Sequence, residues 1–330
     1  MEAEINQNNQ TSAKLSSQTT RLLRCPICNS ELDIGNEVYK CTNNECRAKF
    51  PWKRGIPILI NESFSLFNLS DFIEERDTYF ELSPKNKFSQ LLQTLIPDIS
   101  LNVKAKQNYQ LLKTKLLSQV KSPKVLVIGG SISGEGIEAI LKNSKIEFIE
   151  TDVSFGPRTQ LICDAHCLPF ADKSLDGVII QAVLEHVVDP FQCVREIYRV
   201  LKDDGIVYSE TPFMQQVHGG CYDFTRFTYL GHRRLFRKFY EIDSGAVCGP
   251  GMALAWSYKY LLLSFTQSML MRKIIDSFVR LTAFPFRFLD YLLIDKIGTL
   301  DAASAYYFMG KKSNTVLSDR ELLNLYKGNF

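Results

Sequence analysis

Two pairs of cysteines near the N-terminus constrain this chain more than any other feature. Cys25 and Cys28 are two residues apart, Cys41 and Cys46 are four apart, and twelve residues separate the pairs. Short cysteine knuckles facing each other supply four thiolates to one tetrahedral ion, most often Zn2+. A site closed by four sulfurs has no position for a reacting water, so the expected role is structural. Metal binding then contributes much of the folding free energy of so small a unit. Cys25, Cys28, Cys41 and Cys46 are therefore the candidate metal ligands. The other five of the nine cysteines, Cys163, Cys167, Cys193, Cys221 and Cys248, have no ligand spacing and read as small core residues. An odd total excludes complete disulfide pairing. The polar opening stretch lacks the apolar core of an export signal, and the expectation is a reducing, cytoplasmic setting.

The segmentation follows. Residues 1–20, rich in Asn, Gln, Ser and Thr, are expected to be a disordered leader. Residues 21–62 form the cysteine module, with a strand near 37–40 and a further strand with turns over 50–60. Residues 63–121 read as a helical linker of two or three helices. Its apolar stripes are Leu91, Leu92, Leu95 and Ile96, then Leu111, Leu112, Leu116 and Leu117, and it breaks at Ser122-Pro123. The motif Cys25-Pro26-Ile27-Cys28, the second cysteine pair and the ending Phe50-Pro51 with Gly55-Ile56-Pro57 resemble the small zinc-binding domain of tRNA-methyltransferase activator proteins. Relatives of that module occur fused to methyltransferases.

From residue 124 a buried strand, Lys124-Val125-Leu126-Val127-Ile128, runs into Gly129-Gly130-Ser131-Ile132-Ser133-Gly134 and then a short helix. Strand, glycine turn and helix open the nucleotide-binding half of a doubly wound sheet. Glycine lets backbone approach a ligand closely, and a helix N-terminus offers unpaired N–H groups. The pattern is not the G-x-G-x-x-G of dinucleotide binders, because position 131 is Ser. A second strand ends at Asp152, placed to accept hydrogen bonds from both hydroxyls of a ribose. A third ends at Asp164-Ala165, beside an adenine edge. A fourth, 175–180, is followed by Gln181-Ala182-Val183-Leu184-Glu185-His186 at the edge where open α/β sheets bind ligands. An amphipathic helix over 191–201, a fifth strand over 206–211 and a sixth over 239–242 continue the alternation, and 305–310 supplies a seventh.

This order resembles the class I S-adenosylmethionine-dependent methyltransferases, in particular the type 11 group. The resemblance rests on Leu126-Val127-Ile128-Gly129-Gly130 with Gly134, Asp152-Val153-Ser154, Asp164-Ala165-His166 with Leu168-Pro169-Phe170, Leu184-Glu185-His186-Val187 with Asp189-Pro190, and Arg195 to Leu201 with Gly205. It implies an α/β fold: a Rossmann-like seven-stranded sheet, mostly parallel with an antiparallel last strand, carrying a small N-terminal zinc ribbon and a helical insertion near the C-terminus. The core would be 122–245, the insertion 246–303, and the last strand and tail 304–330. It implies S-adenosyl-L-methionine as cofactor, held by Gly129, Gly130, Ser131, Gly134, Asp152, Asp164, Ala165 and Gln181. The family often has an acid where Val127 stands.

After the fifth strand, residues 211–228 are dense in polar and aromatic groups at the ligand edge. If the acceptor is a hydroxyl, a base must take its proton. His218 is the first candidate and Asp223 the second, with Arg226 a candidate for an anionic substrate; the alternative is a structural turn tied by an internal ion pair. His232-Arg233-Arg234 and Arg237-Lys238 read as a solvated helix face. The apolar stretch 252–297 is interrupted by Lys259, Asp276, Arg280, Arg287 and Asp290, so it does not read as membrane-spanning. Two amphipathic helices fit it, packed on the core or, given their aromatics, lying against a membrane surface as a peripheral contact.

The leading functional reading is methyl transfer to a small-molecule or glycan acceptor, which could be lipid-linked. An RNA methyltransferase and a non-catalytic scaffold of the same fold are the alternatives. A formal net charge of only +3 weighs against a nucleic-acid partner.

Overall fold

The computed structural model describes residues 14–78 and 97–329; the stripe Leu91, Leu92, Leu95 and Ile96 lies outside them. Eleven strands form one sheet: β1 (Leu32–Ile34), β2 (Val38–Cys41), β3 (Lys49–Lys53), β4 (Ile56–Leu59), β5 (Lys124–Ile128), β6 (Glu147–Asp152), β7 (Leu161–Cys163), β8 (Leu175–Gln181), β9 (Leu201–Pro212), β10 (Phe239–Cys248) and β11 (Ala305–Lys312). Their spatial order is β1-β2-β3-β4-β7-β6-β5-β8-β9-β11-β10. From β7 to β9 neighbours run parallel, and β11 lies antiparallel between β9 and β10. The core is a Rossmann-like α/β sheet. The central strands β5 and β8 are buried along nearly their whole length, as parallel strands covered on both faces must be.

The expected seven strands become eleven because the cysteine module joins the sheet. Its strand β4 pairs parallel with β7, Ile58 opposite Ile162 and Leu59 opposite Cys163. The short β7 would otherwise leave an open edge, and β4 satisfies it. A second seam runs beside it: Arg24 N–H donates to Pro169 O (3.0 Å) and Ala171 N–H to Leu22 O (2.8 Å). The stretch expected to be disordered up to residue 20 is in part ordered. Ser17–Thr20 is a single helical turn, and the Ser16 and Thr19 hydroxyls donate to Glu147 on β6.

Helices cover both faces. Ala105–Gln119 buries Ala105, Tyr109, Leu112 and Leu116 against β5, β8 and β9. The buried line follows the helical period through 105, 109, 112 and 116, so Leu111 and Leu117 fall on its margins. On the opposite face Pro190–Val200 is capped by Asp189, which accepts Gln192 N–H (2.9 Å), with Pro190 at the first helical position.

His232-Arg233 is not a solvated pair. His232 and Arg233 are buried within the helix Tyr229–Leu235. Arg233 donates to Glu241 and to the carbonyls of Phe236 and Phe239, which satisfies a buried guanidinium. His232 Nε2 lies 3.0 Å from Ser209 Oγ, and burial pushes its pKa down to about 3.

Between β10 and β11 come the helices Pro250–Leu263 and Met269–Ala283, a 3-10 turn Phe284–Leu289 and short helices Asp290–Leu293 and Thr299–Ala302. Asp290 is fully buried here. Its carboxylate accepts the N–H groups of Gly249 (3.0 Å), Gly251 (2.7 Å) and Met252 (3.0 Å), which caps the apolar helix through a residue forty positions along the chain. No helix among the described residues is long and apolar enough to cross a membrane.

Candidate functional site

The chain leaves β5 through Gly129 at φ 75°, and a Cβ there would overlap the Val183 side chain. Only glycine fits that turn. The loop then clasps the acid at the end of β6: Ser131 N–H donates to Asp152 Oδ2 (3.1 Å) and Ser154 N–H to Oδ1 (3.0 Å). Burial raises the Asp152 pKa, and these hydrogen bonds work against that rise. Each carboxylate oxygen keeps a lone pair for a ribose hydroxyl.

Gly129, Asp152, Asp164 and Ala165 line one cleft with Ile128, Ala182, Val183, His186 and Tyr222. Asp164 Oδ1 lies 2.9 Å from His166 N and 2.6 Å from His166 Nδ1, and Oδ2 accepts the Ser65 hydroxyl (2.7 Å). His166 Nε2 accepts Asp189 N–H (3.0 Å), so the ring is neutral with its proton on Nδ1. Leu66 and Phe67 close the same cleft, and Phe67 packs on Tyr222 at 5.7 Å between ring centroids. Residues 65–67 lie far from every methyltransferase-like motif, so nothing in their local pattern marks them.

Gly130, Ser131, Gly134 and Gln181 lie outside the lining. Gln181 is engaged elsewhere. It donates to Glu135 O (3.1 Å) and Glu210 Oε2 (2.9 Å) and accepts from Tyr109 Oη (2.9 Å). Glu210 also accepts from Asn102 (2.8 Å) and Tyr208 (2.5 Å), and burial pushes its pKa up to about 7. Val127 packs in the apolar cluster beside Ala105 and Tyr109, and it presents no acid to the cleft.

The loop after β9 brings His218, Asp223 and Arg226 together. Arg226 ion-pairs with Asp223 and donates to the carbonyls of Gln215, Gln216 and Thr225. All five guanidinium N–H donors are thus spent within the loop, which leaves none for an anionic substrate. Asp223 also accepts His218 N–H (2.9 Å) and Gly219 N–H (3.1 Å). Burial alone would raise the Asp223 pKa, but Arg226 and these amides hold it well below the usual carboxylate range. The pair forms the internal brace that was the alternative reading of these residues. The insertion leans on this loop: Tyr260 Oη donates to Val217 O (2.5 Å), and Gln216 Nε2 to Ser257 Oγ (3.2 Å).

His218 faces two groups whose weight the sequence did not reveal. Its ring stands edge to face with His186 at 5.0 Å between centroids. Its Nε2 lies 3.8 Å from Glu185 Oε1, and Glu185 is fully buried. Burial pushes Glu185 up to about 8 and lowers the pKa of both imidazoles. Glu185 and His186 adjoin β8 in sequence, whereas His218 arrives from beyond β9, so only folding joins them.

At the opposite end of the sheet the four cysteine sulfurs converge within 4.8 Å of one another. Cys25 and Cys46 sulfurs are 3.8 Å apart, and those of Cys28 and Cys41 3.4 Å. A tetrahedral ion with Zn–S of about 2.3 Å sets its sulfurs about 3.8 Å apart, so the donor set fits. Asn43 N–H points at Cys41 Sγ (3.4 Å), which favours a thiolate. Of the remaining cysteines, Cys163, Cys193 and Cys248 are buried, Cys167 is half-buried and Cys221 is exposed.

Residues 118–209 match a family described as a methyltransferase domain. The middle of the chain is thus similar to a methyltransferase domain. The chain is 30% identical over 126 residues to the ubiquinone/menaquinone biosynthesis C-methyltransferase UbiE of Desulfotalea psychrophila. That alignment covers 38% of this chain and spans less than half, 46%, of the relative. Among solved structures, phosphoethanolamine N-methyltransferase 2 of Haemonchus contortus with S-adenosyl-L-methionine superposes with TM-score 0.40 at 16% identity, covering 63% of this chain and 53% of that one. The complex of the Haloferax volcanii Trm112 methyltransferase activator with a methyltransferase gives TM-score 0.37 at 16% identity, covering 70% and 100%. These are loose likenesses, and the architecture is read from the strand order itself.

Proposed function

We propose that this protein transfers a methyl group from S-adenosyl-L-methionine to a small-molecule acceptor. The observation that carries the reading is the coincidence of the methyltransferase-domain match with a cleft at the strand ends lined by Gly129, Asp152 and Asp164. Gly129 lets the cofactor approach the backbone, Asp152 accepts from the ribose hydroxyls, and Asp164 with Ala165 flanks the base. The cofactor supplies an electrophilic methyl group on a sulfonium. The protein supplies position, and the braced loop 213–228 walls the side from which an acceptor enters. His218 Nε2, beside Glu185, is the ring atom suited to take a proton from an acceptor hydroxyl.

A small acceptor is supported by the near-neutral charge and by the curated relative's naming for ubiquinone/menaquinone biosynthesis. A peripheral membrane contact is supported by the insertion, where Phe265, Met269 and Leu270 are exposed within a few residues of Arg272 and Lys273. Cosedimentation with anionic vesicles tests it, and no binding at low salt removes it. For the module, the reading is one structural Zn2+ on Cys25, Cys28, Cys41 and Cys46. Calorimetry with S-adenosylhomocysteine tests the central proposal, and absence of binding overturns it.

A further inference from the structure

Glu185 poses a physical problem that the methyl-transfer reading does not resolve. Its side chain is wholly buried, and neither carboxylate oxygen has a hydrogen-bond donor among the described residues. A buried carboxylate without a donor is costly, and most folds neutralise or pair it. What surrounds it is specific. His186 Nε2 lies 3.6 Å and His218 Nε2 3.8 Å from the same oxygen, Oε1. Both separations are too long for hydrogen bonds.

The far sides of the two rings define their protonation. His186 Nδ1 lies 2.9 Å from Tyr222 O, and His218 Nδ1 lies 3.2 Å from Gln216 O. A carbonyl oxygen only accepts, so each Nδ1 carries the hydrogen. Arg226 Nη2 is 3.4 Å from His218 Nδ1, but its two hydrogens go to Gln216 O (3.1 Å) and Asp223 Oδ2 (2.9 Å). In the neutral rings each Nε2 then presents a lone pair towards Glu185. Three electron-rich atoms converge within 4.8 Å. Either a proton on Glu185 or a cation between the three atoms offsets their mutual repulsion, and a cation can use all three as donors.

We propose that Glu185, His186 and His218 bind a first-row divalent cation at the acceptor side of the cofactor cleft. Two imidazole nitrogens and a carboxylate are a donor set for Mn2+, Fe2+, Co2+ or Zn2+. Ligand bonds of about 2.1 Å set tetrahedral donors about 3.4 Å apart, so the two separations from Glu185 Oε1 need to close by a few tenths of an ångström. Backbone carbonyls on both Nδ1 atoms orient the rings as outer partners of metal-bound histidines do. The neighbouring Arg226 charge is matched by Asp223. Phe224 N–H (2.8 Å) and Thr225 N–H (3.2 Å) donate to the Glu185 carbonyl and lock the loop to the end of β8.

Three protein ligands leave positions open, and His186 also lines the cleft. The ion's role rests on the methyl-transfer reading, but its binding does not. An acceptor hydroxyl bound to the ion would lose its proton more readily, so His218 would serve as a ligand rather than as the base.

The test is titration of the zinc-loaded full-length protein with Mn2+, followed by electron paramagnetic resonance, in the wild type, Glu185→Gln and His218→Ala. The expected result is saturable binding of one equivalent beyond the zinc, weakened about 10–100-fold in both variants. The side chain of His218 is partly exposed, so its variant tests the site even if Glu185→Gln disturbs folding. Absence of saturable binding in the wild type, or undiminished binding in folded His218→Ala, overturns the proposal. Parallel calorimetry with S-adenosylhomocysteine separates the two readings, because loss of cofactor binding with Mn2+ binding intact refutes only the methyl-transfer assignment.

Discussion

The cysteine module and the acceptor edge each gather metal-type side chains, and they are built in opposite ways. Cys25, Cys28, Cys41 and Cys46 lie within one short stretch, each pair on its own knuckle. Glu185 and His186 meet His218 only after β9 has returned across the sheet. The first arrangement is local and closed. The second leaves a buried carboxylate facing two rings beside an open cleft. A closed set of four sulfurs is suited to holding structure, whereas an incomplete set at a ligand edge is suited to chemistry. The module supports fold and the edge supports ligand.

The largest effect is expected from Cys41→Ser. Loss of the ion should loosen β1 to β4, and the β4–β7 pairing carries the damage into the main sheet. A stability loss of about 3–5 kcal/mol, roughly 10 °C in Tm, is expected together with loss of bound zinc. Thermal denaturation with metal analysis checks this. An unchanged Tm would mean the module merely decorates the sheet.

Next comes Glu210, buried near the edge with a pKa of about 7 against an ordinary 4.5. Because the folded value is raised, its favourable contribution is complete below about pH 4.5 and is lost as pH rises through about 7. The total is about 3 kcal/mol. Glu210→Gln should flatten the fall in stability between pH 5 and 8, as read by urea unfolding. A slope unchanged by the substitution would assign the pH dependence to other groups.

Asp152→Asn should act on ligand rather than fold. Replacing a charged acceptor weakens its hydrogen bonds to ribose by about 1.5–3 kcal/mol, or roughly 10–100-fold in S-adenosylhomocysteine affinity. Calorimetry at a temperature where the variant is folded measures it. Undiminished affinity would place the ribose elsewhere.

The smallest effect belongs to Arg226→Lys. A lysine cannot reproduce five donors in a fixed fork. The loop should lose about 1–2 kcal/mol of local stability, seen as faster amide exchange over 213–228, with cofactor affinity unchanged. A matching loss of cofactor affinity would mean the loop also shapes the nucleoside side of the cleft.

Local signals in the sequence made much of this legible. Central strands such as Lys124–Ile128 show as short apolar runs bounded by turns, and Gly129 shows because only glycine tolerates its φ. That Asp152, Asp164 and Ala165 line a cleft was readable because each lies at or just past the end of a strand at the ligand edge. Gln181 falls outside the cleft lining because its position at a strand end says nothing of which way the side chain turns, and Tyr109, Glu135 and Glu210 draw it away. His232 and Arg233 were misread because charge predicts exposure only where no buried partner waits, and Glu241 and two carbonyls supply one.

The sequence by itself determined the cysteine knuckles, the strand–glycine–helix opening of the nucleotide half-fold and the acids after its second and third strands. Those features depend on spacings of a few residues, which the chain dictates directly. Tertiary structure alone decided that β4 would extend the sheet and that residues 65–67 would wall the cleft. It alone decided that Asp290 would cap a helix begun forty residues earlier, and that Glu185 would be buried against His186 and His218. In each case the partner is distant in sequence, and only burial, which removes water as the competing partner, makes the contact decisive.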